Sequence, residues 1–333
     1  MDFKAQLENW TPKIRPWDWG IEMTIRPEMS CLYRGEFKAK KRIKAKGAEF
    51  IGFNDDLREQ NDFLAKFEID FHPAIANDLN RSNKILSFIS SKGKKRVINL
   101  AKTNQKRVFI KRKIGDLSFY GGRFYGAFWQ SLSKEDRKLI TINLEPVGEE
   151  LDYKALHPTL AYAIIGATMP AEVYDAERII FNSYWSDEKW KKVCKKALLI
   201  SINAKTIQAA YGALATILIN EYPALYPIGL IDEWTQRSFA TQDSRKIVKV
   251  VRTHNKAIGG FFGSDAGIEF QKIDSHLMAE VQKKCRDIGI PILGIHDSIL
   301  YPASKREFVE PIFFDTFNNL LRNMQEGTFG IAA

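Results

Sequence analysis

The sequence predicts an α+β fold in which small antiparallel sheets are backed by helices. Three observations predict it. Pro291–Tyr301 has room for a strand, a tight turn at His296-Asp297 and a second strand. Amphipathic helices flank that unit at Ile268–Ile288 and Arg306–Arg322. A further pair of short apolar runs, Leu139–Leu144 and Val147–Tyr153, reads as strands around a turn at Glu145-Pro146.

Along the chain, Asn54 to about Ser91 reads as mostly helical, followed by a strand near Val108–Lys111. Gly115 and Gly121-Gly122 then mark a boundary. Pro158 suits the first turn of a helix, where a missing N–H costs nothing, and Gly166 ends the run of Leu160, Ile164 and Ile165. Residues 187–219 predict one helix with Trp190, Val193, Leu198 and Ile202 in a stripe. In Ile268–Ile288 the positions Phe270, Ile273, Leu277, Val281 and Cys285 face inward, Lys283, Lys284 and Arg286 face outward, and Gly289 closes the helix. There is no internal repeat and no low-complexity tract.

With 45% hydrophobic and 27% charged residues in 333, the chain is neither disordered, collagen-like nor disulfide-stapled. No apolar run approaches the roughly 20 residues of a membrane span. Met1–Trp10 lacks the apolar stretch of a signal peptide, and Cys31, Cys194 and Cys285 have no metal-ligand spacing. A cytoplasmic protein with no membrane partner is the expectation.

The net charge of +10 lies entirely in residues 1–120, which hold 25 basic and 15 acidic residues against 25 of each in the remainder. From Asp78 to Asp116 no acid interrupts a series that includes Lys92, Lys94, Lys95, Arg96, Lys102, Lys106, Arg107, Lys111, Arg112 and Lys113. A second cluster occupies Lys38–Lys46. One basic run reads equally well as a solvated face. Two in one segment favour a polyanion, because neutralising phosphates releases counterions. Lys94, Lys95, Arg96, Arg107 and Arg112 are therefore candidate nucleic-acid contacts. Phe109, Phe119 and Tyr120 lie beside the run, where core packing competes with stacking on bases.

Two acids stand where an apolar strand stops: Asp152 in Glu149-Glu-Leu-Asp-Tyr-Lys-Ala-Leu-His-Pro158, and Asp297 in Gly294-Ile-His-Asp-Ser-Ile-Leu-Tyr301. Taken singly, Asp152 reads as a helix N-cap and Asp297 as a turn former. Taken together, they can share divalent cations, Mg²⁺ or Mn²⁺, of the kind that carboxylates and substrate phosphates hold jointly. Two such ions activate an attacking oxygen and stabilise a leaving one in phosphoryl chemistry.

These segments resemble the palm of family A DNA polymerases and of their relatives, the single-subunit phage-type RNA polymerases. Ile288–Leu300, with His296-Asp297-Ser298 between two helices, resembles the motif C hairpin; Leu151–Thr159 resembles motif A. The latter also reads like motif A of family B polymerases, with His157-Pro158 where those have Tyr-Pro. Gly122-Arg123 and Gln130-Ser-Leu132 resemble the family A segment that contacts primer-template. The resemblance covers about residues 120–325.

The resemblance implies a right-hand palm with helical fingers and a reduced, basic, thumb-like N-terminal region. Its divisions are residues 1–120 for the thumb-like region, 121–168 and 263–333 for the palm, and 169–262 for the fingers. It implies catalytic roles for Asp152, Asp297 and His296, two metal ions on Asp152 and Asp297 with Tyr153, and primer-template contacts from Arg123 and Gln130. Nucleotide contacts fall to Lys192, Lys196, His157 and Tyr153. Lys192, Lys196, Ile200 and Ala204 have the four-residue spacing of a fingers ladder, but its aromatic and tyrosine positions are missing unless Tyr211 replaces one. A solvated helix edge explains the same lysines. His157, fifth after the aspartate, occupies the place under the incoming sugar and favours deoxynucleotides.

The expected activity is template-directed DNA polymerisation on a primer-template from nucleoside triphosphates, with RNA synthesis as a variant. The space before residue 120 predicts no proofreading exonuclease. A plasmid, phage or other mobile element is the setting such a compact enzyme suits. Two other classes compete: a two-metal nuclease using water on the same carboxylates, and a palm-shaped binding protein whose affinity comes from the basic third.

Overall fold

The computed structural model describes residues 22–25, 42–44, 51–72, 84–111, 120–178, 185–226 and 232–326. In chain order the elements are β1 (Glu22–Ile25), β2 (Arg42–Lys44), α1 (Ile51–Leu64), β3 (Ile69–Phe71), β4 (Ile85–Ile89), β5 (Lys95–Asn99), β6 (Lys106–Lys111) and β7 (Tyr120–Tyr125). A 3-10 turn at Phe128–Ser131 precedes α2 (Lys134–Arg137), β8 (Ile140–Ile142), β9 (Glu145–Pro146) and β10 (Leu151–Asp152). Next come the helices α3 (Leu156–Ile164), α4 (Asp187–Asn203), α5 (Ile207–Glu221), α6 (Glu233–His254) and α7 (Gly267–Asp287). The hairpin β11 (Leu293–Ile295) and β12 (Ser298–Leu300) leads into α8 (Arg306–Gln325). The mixed α+β class is as expected. Among the described residues no helix is long and apolar enough to cross a membrane.

The chain forms two compact units, one of residues 1–154 and 271–333 and one of residues 155–270. The inserted unit thus takes in 155–168 and 263–270 along with the expected 169–262 segment.

In the discontinuous unit the strands form small sheets with the orders β2-β1-β6-β7, β10-β12-β11, β3-β8-β9 and β4-β5. Every pair is antiparallel except β1 with β6. One core cluster joins β3, β4, β5, β8, β11 and β12 through Phe71, Leu86, Phe88, Ile98, Trp129, Ile140, Leu293, Ile295 and Leu300. Trp129 is fully enclosed, and its indole N–H donates to the Gly294 carbonyl at 3.2 Å. On α7, the predicted inward positions Ile273, Leu277, Val281 and Cys285 are all buried. Gly289 follows that helix with φ +75°, a conformation that suits glycine.

Three expectations fail for identifiable reasons. The helix beginning near Asn54 ends at Leu64, because Ile69–Phe71 pairs with β8 and Ile85–Ile89 with β5; tertiary pairing overrides helical periodicity. The β8–β9 turn falls at Asn143-Leu144, both at positive φ, instead of at Glu145-Pro146. That double left-handed turn matches strand twist, and the Asn143 side chain accepts from the Glu68 N–H at 2.8 Å. Pro146 then sits on an edge strand, where its missing N–H is harmless.

The third failure lies in the inserted unit, where the expected 187–219 helix is two helices. Ser201 and Ala204 give their carbonyls to the Gly263 and Asp265 amides, and Thr206 caps α5 by accepting from the Ala209 N–H. A Cβ on Gly263 would stand 2.5 Å from the Ile207 nitrogen, so the break is locked by close backbone approach. Trp190, Leu198, Ile202, Leu214, Leu218, Ile247 and Val251 are buried here. Asn255 is buried as well, bonded to the Tyr162 hydroxyl and the Val173 carbonyl.

A buried cation lies beside α7. Arg107, expected to contact nucleic acid, is 1% exposed. Its Nε donates to the Gly122 carbonyl and its Nη2 to the Ser275 hydroxyl, while the rings of Phe53, Phe109 and Phe124 surround the guanidinium. Burial pulls its pKa down to about 9, with Asp56 opposing. Arg107 is a structural residue and not a phosphate contact.

His276, edge-on to Phe53, has its Nε2 sealed from solvent without a partner. Burial, with Arg107 and Lys272 adding to it, holds its pKa well below 6.5. It is neutral when folded and takes up a proton on unfolding, so its contribution to stability is full above about pH 6.5 and falls as pH drops below it. The expected slope is up to about 1.4 kcal/mol per pH unit. Urea denaturation from pH 7 to pH 5 should show a smaller stability loss for His276→Gln than for wild type. An equal loss would clear His276 of the effect.

Candidate active site

Asp152 ends β10, and Asp297 forms the turn that opens β12. The register pairs Asp152 with Ser298 and Leu151 with Ile299, while Ile295 pairs with Ser298 across the hairpin. The two acids therefore occupy neighbouring strand ends of one three-stranded sheet, one residue apart in register. Asp152 is exposed and Asp297 half-buried. The N-cap of α3 is Ala155, in the left-handed region, so the capping alternative for Asp152 falls away.

Directly after β10, the ring of Tyr153 stacks on Phe313 of α8 at 3.9 Å, and its hydroxyl donates to the Phe313 carbonyl at 2.7 Å. Tyr153 is 3% exposed, so its side chain cannot meet a nucleotide or a metal. An aromatic residue that follows a strand-end aspartate can equally be core. Gln130 is also spent internally: its amide donates to the Phe124 and Gly294 carbonyls and accepts from the Ala127 N–H. It fastens β7 to β11 and is not free to reach primer-template.

A second fastening crosses from β10 to β12. Arg137 grips Glu150 with Nε at 3.0 Å and Nη2 at 2.8 Å, and the Ser298 hydroxyl donates to the same carboxylate at 2.7 Å. Glu150 and Asp152 share a strand face, being two residues apart. Through Ser298, the brace sets the strand of one aspartate against the strand of the other.

On the hairpin side, Arg123 forms a forked ion pair with the fully buried Asp274 of α7, with Nε at 3.0 and 3.1 Å from its oxygens. Burial works against the charge on Arg123, but Asp274, aided by Asp297, more than offsets it and raises the guanidinium pKa. Arg123 is thus near the pair and electrostatically coupled to Asp297, although most of its hydrogen-bonding capacity goes to Asp274. His296 takes a left-handed φ of +53° and meets the Tyr125 ring edge-on at 5.1 Å. Burial and then Arg123 lower its pKa, against Asp297, which favours the neutral imidazole at pH 7. Its Nδ1 is buried without a hydrogen-bond partner.

Lys94, Lys95 and Arg96 are exposed on the β4–β5 hairpin, and Arg96 donates to the Ser131 carbonyl at 2.7 Å. Arg112, Lys113 and Phe119 lie outside the described residues, as does most of the 38–46 cluster. In the inserted unit, Lys192 pairs with Glu188 within α4, and Lys196 of α4 pairs with Glu221 at the end of α5. Ala204 is the C-cap of that helix, so the four-step ladder ends one turn early. His157 is the second residue of α3, half-buried and edge-on to Phe270 at 5.6 Å.

Sequence reasoning missed Asp274, Arg137, Glu150 and Tyr125. A signal existed for Glu150 alone, two residues before Asp152. Asp274 stands beside an apolar helix stripe, where sequence offers no sign of the arginine that neutralises it.

Among the described residues no group of three or more His, Cys, Asp or Glu is placed to hold a metal by protein ligands alone. Two carboxylates of hard oxygen donors nevertheless suit Mg²⁺, which usually keeps waters and is held by one or two carboxylates together with substrate phosphates. No family model, curated protein or solved structure matches the chain.

Proposed function

We propose that the chain is a template-directed nucleotidyltransferase, in its finer form a DNA polymerase. The observation that carries this reading is the pairing of Asp152 and Asp297 at adjacent strand ends, cross-braced by Arg137–Glu150–Ser298. The motif resemblance around both acids adds to it.

Asp152 and Asp297 would hold the divalent ions, Mg²⁺ or Mn²⁺. When bound, such ions stabilise the charge that develops in phosphoryl transfer and favour ionisation of the attacking hydroxyl. Around them, the Arg123–Asp274 pair and the Gln130 clamp fix the hairpin, so the two carboxylates need not reorganise as substrate binds. His296, whose Nδ1 is buried, would act by positioning the adjacent metal ligand Asp297.

The test is incubation of the full chain with an end-labelled primer-template, Mg²⁺ and either deoxynucleoside or ribonucleoside triphosphates. Template-dependent lengthening of the primer is the expected result. Shortening of the labelled strand would replace the reading with a two-metal nuclease. A gel shift with no change in strand length would leave a binding protein.

A further inference from the structure

The β4–β5 hairpin separates its side chains sharply. Leu86, Phe88 and Ile98 alternate into the core cluster. The opposite face carries Ile85, Ser87 and Ile89 on β4 against Asn99, Val97 and Lys95 on β5. Ile85 is 39% exposed, Val97 65% and Ile89 67%. Isolated exposed apolar side chains are ordinary, but three on one face of a two-stranded ribbon form a patch of the kind that marks an interaction surface.

What surrounds the patch identifies its occupant. Exposed Lys84 and Lys102 flank the strands, and exposed Lys92 and Lys94 lie in the connecting turn, where Gly93 takes φ +69°. The hairpin itself carries no acid, and Asp136, which accepts from the Ser91 N–H at 2.7 Å in its turn, is buried, so the charge that the hairpin exposes is of one sign. A second copy of this face would meet the same cations and be repelled. A polyanion would be attracted. B-form DNA has a major groove about 12 Å wide that admits a two-stranded ribbon, with lysines reaching phosphates on either side and aliphatic groups meeting thymine methyls. The deep, narrow major groove of A-form RNA does not admit it.

We propose that the outer face of the β4–β5 hairpin docks in the major groove of duplex DNA. Lys84, Lys92, Lys94 and Lys95 meet the phosphates, while Ile85, Ile89 and Val97 meet base edges. The inference rests on the nucleic-acid reading above but does not require catalysis.

The experiment titrates the full chain with fluorescent duplex DNA, and with duplex RNA of the same sequence, across a salt series. The variants are Ile89→Ser/Val97→Ser and Lys92→Ala/Lys94→Ala/Lys95→Ala, all on the surface. The apolar double variant should weaken DNA binding roughly tenfold at every salt concentration without changing the salt slope. The lysine variant should make the slope of log affinity against log salt shallower by roughly 2–3. Wild type should prefer DNA to RNA.

Wild-type affinity in the double variant, or equal binding of both duplexes, would overturn the docking proposal while leaving nucleic-acid binding intact. Loss of a wild-type dimer in the double variant, read by sedimentation, would assign the face to a second copy and overturn it too. A wild-type chain that binds no duplex at any salt would instead sink the nucleic-acid reading itself.

Discussion

Asp152→Asn and Asp297→Asn should each cut primer extension by about a thousandfold or more while nucleic-acid affinity stays within about twofold. Each change removes one negative charge and preserves shape. Stabilisation of the transferring phosphoryl group by bound ions is worth several kcal/mol, and each 1.36 kcal/mol is a factor of ten in rate. Binding is spared because affinity for a polyanion comes mainly from cationic contacts to phosphates, and neither aspartate supplies one. Asp152 is exposed and Asp297 half-buried in a turn, so both variants should fold, as circular dichroism and a thermal melt would verify. Single-turnover extension on one template reads the effect. A folded variant working near the wild-type rate would remove that residue from the chemistry. Equal loss from both, with no further loss in the double variant, would show that the two act as one unit.

The second large effect is on stability. Arg123→Ala should destabilise the chain by about 3–5 kcal/mol, because it removes the forked cationic partner of the fully buried Asp274 carboxylate. A buried ion pair contributes little compared with an apolar pair of the same shape, yet breaking one is costly. The double variant Arg123→Leu/Asp274→Leu should therefore recover much of the loss. Urea denaturation of both single variants and the double closes the cycle. A single variant within about 0.5 kcal/mol of wild type would mean that water reaches Asp274 and solvates it. The same substitution removes a charge that raises the field at Asp297, so activity measured on surviving folded protein should also fall.

What the sequence disclosed depended on local periodicity. The amphipathic helix through Ile273, Leu277, Val281 and Cys285, its stop at Gly289, the short hairpin at His296-Asp297 and the helix after it all follow from spacing of apolar residues, and all are present. The stop at Gly166 also holds, with φ +65°. What failed depended on partners distant in sequence. Ile69–Phe71 is a strand because β8 lies 71 residues further on, by Cα partnership of Phe71 with Ile140 and Ile69 with Ile142 beside it. The break before Thr206 needs the backbone at Gly263.

The site divides in the same way. The two aspartates were legible because a carboxylate at the end of an apolar strand is conspicuous. The roles of Arg107, Gln130 and Tyr153 were not, since residue type says nothing of burial: a basic run alternating through a strand must turn some of its members inward. Arg107 turns inward while Lys106 beside it stays half-exposed. Glu150 was hidden for a related reason. Its meaning lies in Arg137 and Ser298, which flank it from opposite directions along the chain.

The enclosure of Trp129 and Arg107 also bears on how the chain is assembled during synthesis. The indole of Trp129 waits for a carbonyl 165 residues later, and the Arg107 guanidinium for a hydroxyl 168 residues later. Between these partners the ribosome must deliver the whole of residues 155–270, which form a continuous unit of their own. The inserted helices can thus close while the first 154 residues still hold an unfinished core. Leu86, Phe88, Trp129 and Ile140 remain without Leu293 and Ile295 until the final hairpin emerges. Late, long-range closure of this kind is slow and leaves apolar surface open to wrong partners. The hairpin that brings Asp297 is therefore also the one that seals the core, so the candidate site and the finished fold arrive in the same event.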